Sequence, residues 1–361
     1  MSNRACFAST TPYQVLSSIA VQLEKKLDAD LYVFGMFENY QSVSEKIKAY
    51  GLFRDVVAVD CSKIGAPSKS EALWQMVFPR KFTKAFLGKN VVYDYCYTSS
   101  RAHPKLLLMH EITRRNKQLQ VVMIEDGMGT YSSDSTQLNT KSKLRQMTNR
   151  LLGWDNLFDP HRLFVMARRP DLIELPPVMK GVSVGTMPEL PANEKVCSML
   201  FDIFGAQKED RISERVIIFD TVRGLREVGV LYDVLDQCYQ EIDEAFSHDV
   251  ICKTHPRSRT TPPVSMKFYA KPFVPMEVLY SEMKDLDQRV LVGVGSTAMY
   301  SPKLVFDAEP YIIDLHKLAY NNKMYDDLMQ KMRSLYRDKN KVLCPDTREE
   351  FLEVVKELTQ K

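Results

Sequence analysis

The stretch Val121-Val122-Met123-Ile124-Glu125-Asp126-Gly127 is an apolar run that stops abruptly at two carboxylates and a glycine. An apolar run of this length predicts a buried strand, and the glycine allows the backbone to turn away after it. On both sides of this stretch, similar apolar runs alternate with segments whose apolar residues recur with helical spacing. This alternation predicts parallel sheets with helices on both faces, which is the α/β class.

The alternation breaks once, at a segment in which six prolines cluster. We therefore predict an N-terminal Rossmann-like lobe over 1–155, an inter-lobe connection over 156–194 and a C-terminal Rossmann-like lobe over 195–361. The length of 361 residues fits two domains better than one. Two successive Rossmann-like lobes with a cleft between them make up the GT-B architecture, which is the predicted fold.

The composition is that of an ordinary globular protein, with 45% hydrophobic and 26% charged residues and a net charge of +3. So small a net charge does not predict a nucleic-acid partner. The seven cysteines are scattered and include no CxxC pair. We therefore expect reduced thiols in a cytoplasmic protein, with neither a disulfide framework nor a zinc site. No apolar run has the pattern of a signal peptide or a membrane span.

Two stretches, 80–89 and 141–150, concentrate basic residues between apolar ones. Such a pattern is typical of a solvated helix face. It would also suit contact with an anionic membrane surface or a charged acceptor. A lipid-linked acceptor would require the protein to approach the membrane as a peripheral partner.

Glu125 and Asp126 are the first candidates for chemistry, because ligands of open α/β sheets bind beyond the carboxyl ends of the strands. A carboxylate fixed at such an end can accept a proton from an attacking hydroxyl. Successive strand residues face opposite ways, so only one of the two should face a ligand. A solvated exit from the strand into a loop explains the pair equally well.

A second predicted strand ends in Lys253-Thr254-His255-Pro256-Arg257. The two cations would neutralise a phosphate, and the imidazolium between them could donate a proton to a leaving oxygen. A histidine in a basic loop is the plainer interpretation, and His103 also precedes a proline.

A third predicted strand runs into Gly295-Ser296-Thr297, which is expected to open a helix. Free amides at a helix N-terminus, together with two hydroxyls, make an anion site. An ordinary helix cap would account for either hydroxyl. No cluster of histidines, cysteines or carboxylates has the spacing of metal ligands.

The order of these three strand ends resembles that of the bacterial sialyltransferases, which share a D/E-D/E-G motif, an HP motif and a serine/threonine pair. The opening Ser9-Thr10-Thr11-Pro12-Tyr13-Gln14 is similar to the start of family 52 glycosyltransferases. That family includes capsule and lipooligosaccharide sialyltransferases, and some of its members transfer other sugars. The resemblance covers nearly the whole chain in architecture but only short motifs in sequence.

Carried over by position, the resemblance implies that Asp126 is the general base on the acceptor hydroxyl, with Glu125 as the second choice. His255 would be the acid that meets the departing phosphate, and Lys253 would lie near the cytosine. Asp220, which ends a strand of the C-terminal lobe, is a rival base or a donor-loop residue. Ser296 and Thr297 would hold the phosphate, Glu277 would contact the ribose hydroxyls, and Thr130 would contact the acceptor. Arg257 and Gly295, which lie beside the motifs, are further candidates for substrate binding.

The resemblance implies an inverting, metal-independent sialyltransferase that moves sialic acid from CMP-sialic acid to a sugar hydroxyl of a capsule or lipooligosaccharide. Such an enzyme needs no cofactor, and its partners would be the donor and a glycan acceptor, free or lipid-linked. We expect it in the cytoplasm; a peripheral contact with the inner face of the membrane and a homodimer are both left open. Two alternatives remain: another cytidine-nucleotide-dependent transferase, of Kdo or of glycerol or ribitol phosphate, and a non-catalytic module that binds a nucleotide or a glycan.

Overall fold

The structure is a computed structural model. It divides the chain into two compact units, Met1–Pro191 and Ala192–Lys361. The described residues are 4–64, 68–99, 102–132, 161–175, 179, 181–190, 193–223, 230–320 and 323–361. The basic stretch 141–150 lies outside them. Within these ranges, no helix combines the length and the apolar composition that crossing a bilayer requires.

Unit 1 is built on a parallel sheet of seven strands in its described part. The strands are β1 (Arg4–Ser9), β2 (Asp28–Phe34), β3 (Asp55–Val59), β4 (Tyr95–Thr98), β5 (Gln120–Ile124), β6 (Leu163–Ala167) and β7 (Ser183–Thr186). Their order across the sheet is β3-β2-β1-β4-β5-β6-β7, and all pairs are parallel. The first six strands therefore have the Rossmann order, which reverses between β1 and β4.

Helices follow the strands of unit 1, as the periodicity predicts. They are α1 (Pro12–Lys25), α2 (Tyr40–Ala49), α3 (Lys69–Val77), α4 (Pro79–Thr83) and α5 (His103–Arg115). The first turn of α1 is well specified, because the Thr11 side chain accepts a hydrogen bond from the backbone N–H of Gln14 and Pro12 occupies the first turn. This turn begins directly after β1, at the edge of the sheet where the candidate carboxylates lie.

Unit 2 has a second parallel sheet, with strands β8 (Val216–Phe219), β9 (Val250–Lys253), β10 (Lys267–Phe268), β11 (Val290–Gly293), β12 (Tyr311–Asp314) and β13 (Val342–Leu343). The order β10-β9-β8-β11-β12-β13 is again the Rossmann order, which reverses between β8 and β11. The helices are α6 (Glu194–Ile203), α7 (Tyr232–Ala245), α8 (Met276–Tyr280), α9 (Thr297–Phe306), α10 (His316–Ala319), α11 (Lys323–Leu335) and α12 (Arg348–Thr359). The predicted α/β class and the two Rossmann-like units are confirmed.

The predicted connection over 156–194 differs from the structure. The strands β6 and β7 lie inside it and extend the first sheet, and the chain divides only after Pro191. The two described prolines nearest these strands, Pro170 and Pro188, lie beyond the strand ends. These prolines are compatible with the strands, since proline is unfavourable only where a strand needs the backbone N–H group for pairing.

Candidate functional site

Glu125 and Asp126 follow β5 directly, and they face different surroundings. Glu125 is fully buried, whereas Asp126 is half-buried. This difference agrees with the expectation that successive residues at a strand end point to opposite sides.

The carboxylate of Glu125 is fully occupied by protein donors. Its Oε1 accepts from the Tyr13 hydroxyl and from Arg168 Nη1, each at 2.7 Å. Its Oε2 accepts from the backbone N–H of Arg168 at 2.8 Å and from the Tyr131 hydroxyl. Burial alone would raise the pKa of Glu125, but the Arg168 guanidinium and these hydrogen bonds lower it below its ordinary value. Glu125 is therefore an ionised, saturated group that fixes the strand end, and its geometry does not suit a base.

Asp126 keeps part of its carboxylate available. Its Oδ1 accepts from Gln14 Nε2 at 2.8 Å, while among the described residues no donor reaches Oδ2. Its backbone N–H donates to Thr130 Oγ1 at 2.8 Å. Thr130, expected to contact the acceptor, thus holds the turn that positions Asp126.

Gln14 connects Asp126 to a buried lysine. Gln14 Oε1 accepts from Lys105 Nζ at 3.0 Å and from the backbone N–H of Thr10 at 2.8 Å. A backbone N–H and an ammonium group can only donate, so this oxygen must face them and the amide NH₂ must face Asp126. Lys105 Nζ also donates to Ser99 Oγ at 3.3 Å. Because Thr10 and Ser99 directly follow β1 and β4, this network lies where the strand order reverses.

Sequence reasoning assigned no role to Gln14, Lys105 or Arg168. One pattern could have revealed Lys105, because it lies three and seven positions before Leu108 and Ile112, on the buried face of α5. A lysine on such a face is rare unless it has a partner. Nothing local connects Gln14 to Asp126 or Arg168 to Glu125, because these partners lie 112 and 43 residues apart in sequence.

Lys105 offers a pH-dependent test of this network. Burial lowers the pKa of Lys105 to about 8, although the charge of Asp126 opposes the shift. The unfolded chain therefore binds more protons than the folded chain between pH 8 and the ordinary lysine pKa, and stability should rise with pH across that window. We expect Lys105→Met to remove this rise and to stabilise the fold at neutral pH by up to about 3 kcal/mol.

Urea unfolding of both proteins at neutral pH and at about pH 10 measures this difference, and other titrating groups cancel in the comparison. If the free energy of unfolding depended on pH equally in both proteins, Lys105 would not be a buried ammonium group with a lowered pKa. A more stable but less active variant would show that the lysine serves the site rather than the fold.

In unit 2, His255 follows β9 and is half-buried. The backbone N–H of Arg257 donates to His255 Nδ1 at 3.1 Å, so in the neutral ring the proton is on Nε2. Burial, together with the positive charges of Arg257 and Lys253, lowers the pKa of His255 to about 4. At neutral pH the ring is therefore a neutral donor through Nε2–H, and the imidazolium expected from the sequence is not present.

Lys253, the last residue of β9, is directed into the protein. Its Nζ donates to the Pro272 carbonyl at 2.5 Å and lies 5.7 Å from the centre of the Tyr269 ring. Burial lowers its pKa to about 7, against the opposing charge of Glu277, a buried residue in the first turn of α8. The structure thus brings Lys253 and Glu277 together, and the exposed cation beside His255 is Arg257.

Gly295 and Ser296 lie between β11 and α9, and Thr297 is the first residue of α9, as the sequence predicts. Gly295 has a φ of +52°, and a Cβ atom there would lie 2.0 Å from a Tyr325 ring carbon, so only glycine fits. Its N–H donates to the Asp314 carboxylate at 3.1 Å and is not available to a phosphate. Ser296 is the N-cap residue of α9, yet its hydroxyl makes no capping bond to the described first turn. The ordinary cap therefore does not explain Ser296.

Asp314 belongs to a buried network that sequence reasoning missed. Its carboxylate also accepts from the Tyr300 hydroxyl at 3.0 Å, and His316 Nδ1 lies 2.9 Å away. His316 Nε2 lies 3.0 Å from Asp326 in α11. Although burial opposes it, the two carboxylates raise the pKa of His316. The network holds the Gly295 turn against α11.

Asp220, the rival base, follows β8 but is buried. Its Oδ2 accepts from Arg223 Nε at 2.8 Å, and Arg223 also donates twice to Asp236. Burial raises the pKa of Asp220, while Arg223 opposes the shift. Asp220 is therefore part of an internal ion-pair network. It separates the His255 end from the Ser296 end, because β8 lies between β9 and β11 and neighbouring strands are about 4.8 Å apart.

The described residues contain no group of three histidine, cysteine or acidic side chains that could hold a metal ion. No protein-family model and no curated protein sequence matches the chain. Among solved structures, the chain is similar to LpCGTa in complex with UDP, with 9% identity over 100% of this chain and 91% of that chain and a TM-score of 0.51. It is also similar to the UDP-GlcNAc 2-epimerase of Methanocaldococcus jannaschii in complex with UDP-GlcNAc and UDP, with 13% identity, 99% of both chains covered and a TM-score of 0.48. At such identities the likeness to LpCGTa shows the fold alone, which is of the GT-B type.

Proposed function

We propose that this chain is a glycosyltransferase, and more specifically a sialyltransferase that uses CMP-sialic acid as its donor. The observation that carries the proposal is the placement of Asp126. It is the only member of the carboxylate pair with an oxygen that no described donor occupies, and Gln14 orients it. A half-buried carboxylate held in this way is equipped to take the proton of an acceptor hydroxyl.

The donor side of the proposal rests on the strand ends of unit 2. Ser296 presents a hydroxyl that makes no capping bond to the described first turn of α9, and His255 presents a neutral Nε2–H. Both groups can donate to the oxygens of a nucleotide phosphate. We assign Thr297 to the same phosphate, and Arg257 supplies the exposed positive charge beside it.

The chemistry requires little beyond these groups. CMP is a good leaving group, and breaking its bond to sialic acid develops negative charge on the phosphate. Donors fixed around that phosphate stabilise the transition state more than the ground state. A base that deprotonates an acceptor on the face opposite the leaving group gives inversion at the sugar carbon, by the logic known from inverting glycosidases.

The choice of CMP-sialic acid over other donors comes from the motif resemblance. A transferase of Kdo, glycerol phosphate or ribitol phosphate would use the same strand ends with a different cytidine nucleotide. UDP is a necessary competitor in any assay, because LpCGTa is found in complex with it. A non-catalytic module would bind the nucleotide without consuming any donor.

The donor site predicts a specific loss of affinity. Replacing Ser296 and Thr297 together by alanine should weaken CMP binding about tenfold or more, because a hydrogen bond to a charged group contributes about 1.5–3 kcal/mol. Glu277→Gln should weaken binding of CMP more than binding of its 2′,3′-dideoxy analogue, if the carboxylate contacts the ribose. Isothermal titration calorimetry with each variant measures both effects.

A matched control is Thr347→Ala. The Thr347 hydroxyl caps α12 by accepting from the Glu350 N–H at 3.2 Å, so its loss should lower stability by about 1 kcal/mol and leave CMP affinity unchanged. Unchanged CMP affinity in the Ser296/Thr297 and Glu277 variants would place the donor site elsewhere.

A further inference from the structure

The helices α3 and α4 present an exposed apolar group at their junction. Trp74, Val77 and Phe78 are 51%, 36% and 44% exposed. The Trp74 and Phe78 rings contact each other, with centroids 4.3 Å apart. Single exposed apolar residues are common on proteins, but a contiguous aromatic group marks a contact surface.

Basic side chains follow this group directly. Arg80, Lys81, Lys84 and Lys89 are all exposed. The segment 68–90 contains five lysines or arginines and one acidic residue, Glu71, which gives it a net charge of +4, against +3 for the whole chain. A net positive charge therefore lies directly beside the exposed aromatic pair.

The other apolar residues of this segment have a different role. Leu87 is buried in the core of unit 1, and Phe82 and Phe86 pack against that core. They anchor the segment, so Trp74, Val77 and Phe78 are displayed on a supported surface. In the basic stretch 80–89, the apolar side chains Phe82, Phe86 and Leu87 thus face the core, while the basic side chains are exposed.

We propose that this surface, formed by Trp74, Val77 and Phe78 with Arg80, Lys81 and Lys84, docks the protein onto an anionic lipid bilayer. Tryptophan and phenylalanine partition into the interfacial region of a bilayer, and lysine and arginine are attracted to anionic headgroups. The inference goes beyond the proposed function and is independent of which donor the protein uses.

Charge decides between a bilayer and a second copy of the chain. A symmetric dimer through this face would place the same cations of two copies against one another, and like charges across an interface are unfavourable. The apolar group is also small compared with the area that a stable protein interface buries. An anionic bilayer complements both features of the surface.

Co-sedimentation of the full chain with vesicles tests the proposal. We expect binding to vesicles of equal parts phosphatidylcholine and phosphatidylglycerol, little binding to phosphatidylcholine alone, and weaker binding as salt is raised. Removing cations through Arg80→Gln, Lys81→Gln and Lys84→Gln should lower the partition coefficient about fivefold for each charge. Trp74→Ser with Phe78→Ser should lower it further and leave the fold intact, because both side chains are exposed.

The matched control removes three exposed cations elsewhere in unit 1, through Lys25→Gln, Arg114→Gln and Lys117→Gln. This variant has the same net charge as the first triple variant and should retain nearly full binding. Equal losses in both triple variants, or no binding by the unmodified protein, would overturn the proposal. A dimer in sedimentation velocity that Trp74→Ser with Phe78→Ser dissociates would assign the surface to a second copy instead.

Discussion

Asp126→Asn is expected to suppress transfer to the acceptor by about two to four orders of magnitude while CMP binding stays nearly intact. The substitution removes the basic oxygen but preserves the shape, and the asparagine Oδ1 can still accept from Gln14 Nε2. CMP affinity should survive because the assigned nucleotide contacts belong to unit 2. Rates of transfer and of donor hydrolysis, measured on the same preparation, separate loss of the base from loss of donor binding.

Glu125→Gln provides the first comparison. Because Arg168 is buried against Glu125, this substitution leaves a buried charge without its counter-ion, and we expect a stability loss of about 3–5 kcal/mol. Its activity loss should follow the loss of folded protein, whereas Asp126→Asn should stay folded. If Glu125→Gln remained folded and lost only transfer, the roles of the two carboxylates would be exchanged.

Asp220→Asn provides the second comparison. Asp220 is internal and paired with Arg223, so its replacement should affect stability more than the transfer step. If Asp220→Asn alone suppressed transfer while CMP binding stayed normal, the base would lie in unit 2 and the placement on Asp126 would be wrong.

His255→Ala is expected to lower kcat by about a hundredfold or more in a folded protein, because this is the usual cost of removing one fixed hydrogen-bond donor from a group on which negative charge develops. Because the ring is neutral, we expect His255 to donate a hydrogen bond to the phosphate through Nε2–H. His255→Gln can place an amide N–H near the position of Nε2, whereas His255→Asn can replace only the acceptor near Nδ1. We therefore expect partial recovery of kcat with glutamine and none with asparagine.

The pH dependence of kcat/KM adds an independent measurement. Because the pKa of His255 is about 4, protonation of this ring should not limit kcat/KM between pH 5 and pH 8. Near-normal turnover in folded His255→Ala would remove the residue from the site. A large loss in both His255→Ala and His255→Gln would instead favour an acid that becomes protonated only when the phosphate binds.

The regular part of the fold could be predicted from the sequence because its determinants are local. The apolar run of β5 and the periodic face of α1 each lie within a few neighbouring residues. The strands β6 and β7 were missed because they are short and lie among prolines. The many prolines indicated a connection, although the apolar residues of the strands were present. That error shifted the predicted start of the second unit by only a few residues.

The positions of Asp126, His255 and Ser296 could also be predicted, since these residues follow strand ends. Their states could not, because burial and partners come from distant parts of the chain. Glu125 is saturated by Tyr13 and Arg168, which lie 112 and 43 residues away in sequence. The neutral form of His255 likewise requires its burial, which no motif reveals. The burial of Lys105 was not predicted either, although the place of this lysine on an apolar helix face is visible in the sequence.

Donor turnover by the unmodified protein tests directly whether it is a sialyltransferase. The purified chain would be incubated in parallel with CMP-sialic acid, CMP-Kdo, CDP-glycerol and a UDP-linked sugar, with a lipooligosaccharide acceptor, and release of each nucleotide would be followed. We predict that CMP-sialic acid is consumed fastest, that sialic acid appears on the acceptor, and that Asp126→Asn abolishes this transfer. Consumption of another donor with no turnover of CMP-sialic acid would show that the protein is not a sialyltransferase.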